Sequence, residues 1–189
     1  FYDLPFIGMA ITSPATKRWV KFNDQLCAIL GYSREELGAM NWADMTHPGD
    51  LDNDVAEFER VLRGETEGYV MEKRFIRKDG AIVHGAIDVK CARRPDGTVD
   101  YFVATVQDIT GRKAAEATIL RLNRVYMTLS QCNEAIVRCT TEDELFAEIC
   151  RAAVESGGMK MATVGIIDGQ GVVRAVASAG EGAGYFDGI

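Results

Sequence analysis

Histidine and cysteine are the side chains that most often supply acid–base, nucleophilic or metal-ligating chemistry near neutral pH. This chain has two histidines and five cysteines in 189 residues. His47 stands in His47-Pro48-Gly49-Asp50 and His84 inside the apolar-rich run 82–91, and neither has a nucleophile at a spacing that would form a catalytic pair. Cys27, Cys91, Cys132, Cys139 and Cys150 are scattered, form no CxxC pair and have no histidines at zinc spacing, so they read as reduced packing residues. No phosphate-cradling glycine loop occurs either, and the expectation is a chain without a catalytic constellation or a metal site. The remaining chemistry is local hydrogen bonding. In "TVQDITGRKAAE", residues 105–116, Asp108 and Thr110 sit where an alternating pattern gives way to a helical one, and their side chains can accept from nearby backbone N–H groups.

The elements that would place these residues can be read from periodicity. Residues 7–12 and 19–22 are short apolar runs around the turn-forming Ser13-Pro14-Ala15-Thr16, which predicts two strands. Asn23-Asp24 can cap a helix carrying Leu26, Cys27 and Leu30, with Gly31 as its stop, and Ser33 with Glu36 has capping-box spacing. A longer helix is predicted over 50–63 from Leu51, Val55, Phe58 and Leu62, with Gly64 in place for a left-handed cap. Three strands follow, at 69–76, 82–91 and 99–107, joined by Lys78-Asp79-Gly80 and by Arg94-Pro95-Asp96-Gly97. In the middle one Val83, Gly85, Ile87, Val89 and Cys91 share the core face, leaving His84 on the polar face. The class is α+β: an antiparallel sheet with helices on one side.

From Arg112 the period changes. Ile119, Leu122, Tyr126, Leu129, Asn133 and Ile136 are spaced as an a/d seam, widened by Val125 and Cys132. Two readings stay open: an amphipathic helix packed on its own domain, or a parallel dimer seam on Leu122, Leu129 and Ile136 with Asn133 as a polar register pin. Thr141 with Glu144 opens another helix, and residues 161–167 and 172–177 read as a hairpin around Asp168-Gly169-Gln170-Gly171.

A hydrophobic content of 47% with 26% charged residues fits a soluble globular protein, and a formal net charge of −7 disfavours a broad surface for nucleic acid or anionic lipid. No apolar run approaches the roughly 18 residues of a membrane span. The start at Phe1 suggests an excised piece of a longer chain. The expected setting is cytoplasmic, with neither a nucleic-acid nor a membrane partner for this piece.

The motifs "VKFND" (20–24), "ILGYSREEL" (29–37), "HPGDL" (47–51), "FIRKDGAIV" (75–83) and "YFVATVQDIT" (101–110) resemble, in order, a PAS domain with its C-terminal PAC portion. The stretch "LFAEICRAAVESGGMKMATVGIID" (145–168), with "AGEGAGYFDGI" (179–189) after it, resembles the first half of a GAF domain. The resemblance implies a PAS/PAC sensor over 1–110, with a five-stranded antiparallel sheet and helices on one face. A signalling linker helix over 111–138 and a truncated GAF-like α/β unit over 139–189 would follow. It also implies the sensory input region of a bacterial signalling protein, with a cyclic-diguanylate (GGDEF/EAL) output favoured over a histidine kinase.

The resemblance narrows the cofactors. Photoreactive flavin-binding relatives carry an asparagine-cysteine pair where this chain has Asn41-Trp42, and an inward glutamine where it has Val106. Haem-binding relatives ligate iron from a histidine at about the position of Asn53, and His47 reads instead as a turn-ordering residue. Haem and photoreactive flavin are therefore not expected, while an unidentified small ligand is possible. Trp42, Phe58, Phe102 and Val106 would line the space between helices and sheet, as packing first and ligand contacts second. Asp108 and Thr110 match the closing Asp-x-Thr of the family and would relay a change in the sheet into the helix. The implied partners are a second copy through that helix and an output domain further along the parent chain; the alternative is a constitutive docking scaffold.

Overall fold

The computed structural model of the protein describes residues 6–182. Contacts divide the chain into one unit reaching to Ala114 and a second starting at Ala115. The last part of the GAF-like stretch, from residue 183 on, and the first residues of the expected sensor domain lie outside the described residues.

In the first unit β1 (Gly8–Thr12) and β2 (Trp19–Phe22) form a hairpin, followed by helices α1 (Asp24–Leu30), α2 (Arg34–Ala39) and α3 (Pro48–Leu62). Then come β3 (Gly68–Ile76), β4 (Ile82–Arg93) and β5 (Val99–Asp108). The five strands make one antiparallel sheet in the order β2-β1-β5-β4-β3, so the two ends of the domain meet where β1 pairs with β5. Local chemistry sets the helix ends. The Asn23 side chain accepts from the Leu26 N–H, Gly31 closes α1 with φ 77°, and Ser33 with Glu36 forms a complete capping box.

On α3 the inward stripe differs from the periodic one. The buried residues are Asp54, Phe58 and Val61; Leu51 and Val55 are half-buried, and Leu62 is 39% exposed. Pro48 in the first turn starts the helix two residues earlier than the periodicity suggests, and the core selects the face that includes a carboxylate. On β4 the alternation holds: Val83, Gly85, Ile87 and Val89 are buried. Gly85 is required by its neighbour, since a Cβ there would lie 2.4 Å from the Phe75 ring.

Ile109 alone separates β5 from α4 (Thr110–Arg138), a helix of 29 residues. In the second unit α5 (Glu142–Glu155) packs against the two-stranded sheet β6 (Met161–Ile167) and β7 (Val173–Gly180). The Thr141 side chain caps α5 through the Glu144 N–H, but the Glu144 carboxylate returns to Thr140 rather than to Thr141. Among the described residues no helix is long and apolar enough to cross a membrane.

Candidate functional site

The core of the first unit holds a small, partly open cavity, about 30 Å³, between α3, the residue-42 loop and the inner face of the sheet. Space of that size holds two or three waters at roughly 10–15 Å³ each. Trp42, Phe58, Phe102 and Val106 all lie on its wall. The three aromatic rings contact one another in a row, tilted rather than stacked: the Trp42 and Phe58 centroids are 5.4 Å apart, and those of Phe58 and Phe102 are 4.4 Å apart.

The same wall carries a buried ion pair that apolar periodicity did not reveal. Lys73 Nζ donates to Asp54 Oδ2, and the two side chains are 3% and 1% exposed. Lys73 Nζ also donates to Thr46 Oγ1 at 2.9 Å, and the Thr46 hydroxyl donates to the Trp42 carbonyl at 2.8 Å. The Tyr69 hydroxyl donates to the other carboxylate oxygen, Asp54 Oδ1, at 2.9 Å. Each charge is thus hydrogen-bonded as well as paired, which burial of an ion requires. Burial pulls the Lys73 ammonium below the ordinary lysine range, opposed by the attraction of Asp54. Burial, then the neighbouring Asp54 charge, pushes the Tyr69 phenol well above its ordinary value. The ammonium also lies 4.5 Å from the centre of the Phe75 ring and 5.2 Å from that of Trp42.

A signal for this pair exists in the sequence. On β3, residues 69, 71, 73 and 75 share the inward face, so Lys73 falls in phase with Tyr69 and Phe75. Asp54 lies one turn before Phe58 on α3. A lysine in the core phase of a strand needs a buried partner, and the preceding helix offers one.

Two further polar groups lie at the cavity or beside it. Trp19, on its wall and 8% exposed, has its indole N–H buried without a hydrogen-bond partner. Lys17, in the left-handed turn before β2 with φ 56°, holds its ammonium 5.8 Å from the Trp42 ring centre and 5.6 Å from that of Phe58. It makes no ion pair with the described residues.

The histidines lie elsewhere. His47 is the N-cap of α3, where its Nδ1 accepts from the Gly49 N–H at 3.1 Å. Asn53 is exposed, facing away from the cavity. His84 belongs to the outer surface, where its backbone meets the strand-to-helix junction. The β4–β5 ladder ends at Gly85 and Asp108, and the next groups go to the junction itself. The Ile109 N–H donates to the His84 carbonyl at 2.8 Å, and the His84 N–H donates to Thr110 Oγ1 at 3.0 Å. Asp108 Oδ1 accepts from the Thr110 N–H at 2.8 Å. Glu72, on the outward face of β3, pairs with both Arg112 and Lys113 in the first turn of α4, each at 2.6 Å.

Comparison with known proteins identifies this unit. A family model described as the PAS fold matches residues 20–106. Those residues form a PAS domain. The chain is 38% identical over 110 residues to the probable diguanylate cyclase DgcE of Escherichia coli, covering 58% of this chain and 10% of that protein. It is 28% identical over 151 residues to the methyl sulfide methyltransferase-associated sensor of Methanosarcina acetivorans, covering 79% of this chain and 14% of that protein. The chain therefore spans about a tenth to a seventh of these relatives. Among solved structures, the PAS domain of a Colwellia psychrerythraea protein superposes with a TM-score of 0.52 at 19% identity, covering 58% of this chain and 92% of that one. This is a likeness of fold. What the comparisons share is the PAS fold over residues 20–106.

Proposed function

We propose that the chain is the input region of a signalling protein, in which the state of the PAS core is passed through the β5–α4 junction into a dimerising helix. The observation that carries this reading is the junction geometry: one residue separates strand from helix, and Thr110 Oγ1 on α4 accepts from His84 on β4. A displacement of β4 or β5 moves the helix start with it, because no flexible segment lies between to absorb the motion. The Glu72 pairs with Arg112 and Lys113 tie the same turn to β3. Exposed pairs of this kind contribute little stability but set orientation.

On this reading α4 is the signalling helix and Leu122, Leu129 and Ile136 are its contact seam with a second copy. These three are 58%, 58% and 59% exposed, so the described residues leave their apolar face largely uncovered. The face that packs within the second unit is instead the one carrying Ala135 and the half-buried Thr128 and Cys132. The stretch from 139 onward is the beginning of a GAF-like domain, and the output is cyclic-diguanylate synthesis or breakdown, a reading supported by the likeness to DgcE.

Native mass spectrometry of the whole chain tests this, since it reports oligomeric state and retained ligand together. A dimer that a seam substitution converts to monomer supports the reading. A dimer unaffected by seam substitutions, with an empty core, supports a constitutive scaffold instead.

A further inference from the structure

The cavity is small, its wall offers donors, and a half-buried lysine beside it has no charge partner among the described residues. Asp54 has both oxygens engaged, one by Tyr69 and one by Lys73. The hydroxyl of Thr46 is spent on a backbone carbonyl. Against these stand the unpartnered Trp19 indole N–H and the one Lys73 N–H that has no oxygen acceptor among the described residues. Lys73 is compensated by Asp54; Lys17, half-buried just outside the lining and within 6 Å of the centres of two of its rings, has no ion-pair partner among the described residues. An indole N–H sealed from solvent without a partner is costly, and a bound acceptor, a water or a ligand, relieves that cost.

We infer that the PAS cavity takes a one- or two-carbon monocarboxylate, whose charge is met by Lys17 and the Trp19 N–H and whose apolar end lies against Phe58 and Phe102. The inference rests on the reading of this core as a sensor and names the class of molecule sensed. Size and charge select the class together. Space for two or three waters admits a carboxylate with at most a methyl group. A cation would meet the uncompensated Lys17, and a neutral amide would leave that charge unanswered while bringing donors of its own to a wall of donors.

The test titrates the full chain in carboxylate-free buffer at constant ionic strength with sodium formate, acetate, butyrate and hexanoate, and with acetamide as the neutral isostere of acetate. Tryptophan fluorescence reads the site directly, since Trp19 and Trp42 are the only two tryptophans and both line the cavity. Formate or acetate should give a saturable change with a dissociation constant of about millimolar order, as suits three or four heavy atoms. Hexanoate and acetamide should give none. Lys17→Gln and Trp19→Phe should each weaken acetate about tenfold, the usual effect of losing a charge-assisted or otherwise unsatisfied hydrogen bond, with circular dichroism showing both variants folded. Acetamide binding as well as acetate overturns the ligand class but leaves the sensor reading standing. An acetate response unchanged in both variants places the binding elsewhere and also overturns the inference. No response to any probe, with no retained mass in native spectra, removes the sensor reading along with it.

Discussion

Lys73 on β3 and Asp54 on α3 are joined by an ion pair buried in the wall of the PAS cavity, where the long helix and the edge strand exchange charge inside the core. The neighbours of Lys73 on the strand, Glu72 and Arg74, face outward, to the first turn of α4 and to Asp50 at the start of α3. Three consecutive residues of β3 thus contact the core, the first turn of α4 and the start of the long helix.

Removing one member of the pair should cost far more than removing both. Lys73→Met leaves the Asp54 carboxylate buried with only the Tyr69 hydroxyl, and a loss of about 3–5 kcal/mol is expected. The double variant Asp54→Leu, Lys73→Met should recover most of it, because no charge is then left unpaired. Urea unfolding followed by tryptophan fluorescence measures both, and reports the PAS core alone because both tryptophans lie there. Equal losses in the single and double variants would show that the pair is not what holds β3 to α3.

Acid stability should depend on Asp50. Its carboxylate accepts from the Arg74 guanidinium and the Arg74 backbone N–H, chiefly the former, and is held at about 2. The unfolded value is about 3.9, so the stabilisation is fully present above about pH 5 and is lost as pH falls toward 2. Asp50→Asn should flatten that limb of the stability–pH curve, by on the order of 1 kcal/mol given the half-exposed Arg74 partner. Unfolding midpoints from pH 6 to pH 3 check this; a wild-type limb as flat as that of the variant would contradict it.

Most of the fold was legible in the sequence because its signals are local. Turn residues at Gly80 and Gly97, the capping box at Ser33 and Glu36, and strict alternation on β4 each act within a few residues. The α3 stripe was misplaced because apolar counting skips Asp54, whose inward position depends on a lysine 19 residues away. The same long-range dependence hid Lys17 and Trp19: nothing in their own neighbourhood says which rings they will meet. The aromatic lining was legible because Phe58, Phe102 and Val106 fall in the apolar phase of their own elements.

At the junction, Thr110→Val should uncouple strand from helix while keeping the side-chain shape. The His84 N–H then loses its acceptor beyond the end of the β4–β5 ladder. A lost hydrogen bond of about 1 kcal/mol corresponds to roughly fivefold faster exchange of the His84 amide. Thr110→Ser, which retains the hydroxyl, should exchange like the wild type. Hydrogen exchange resolved to single amides separates the two, and accelerated exchange throughout the sheet would point to general destabilisation instead.

The seam makes the last prediction, and its two faces make it specific. Leu122 and Leu129 are more than half exposed, so Leu122→Asp or Leu129→Asp buries no new charge within the chain and should leave the fold of each unit intact. In a dimer the same substitution places like charges opposite one another at an apolar contact, and dissociation to monomer is expected. Ala135 lies on the opposite, buried side of α4, so Ala135→Leu overpacks the second unit and should lower its stability without creating a charge at the seam. Native mass spectrometry across protein concentration, with circular dichroism for folding, distinguishes these outcomes. A dimer persisting in both aspartate variants would move the interface off α4.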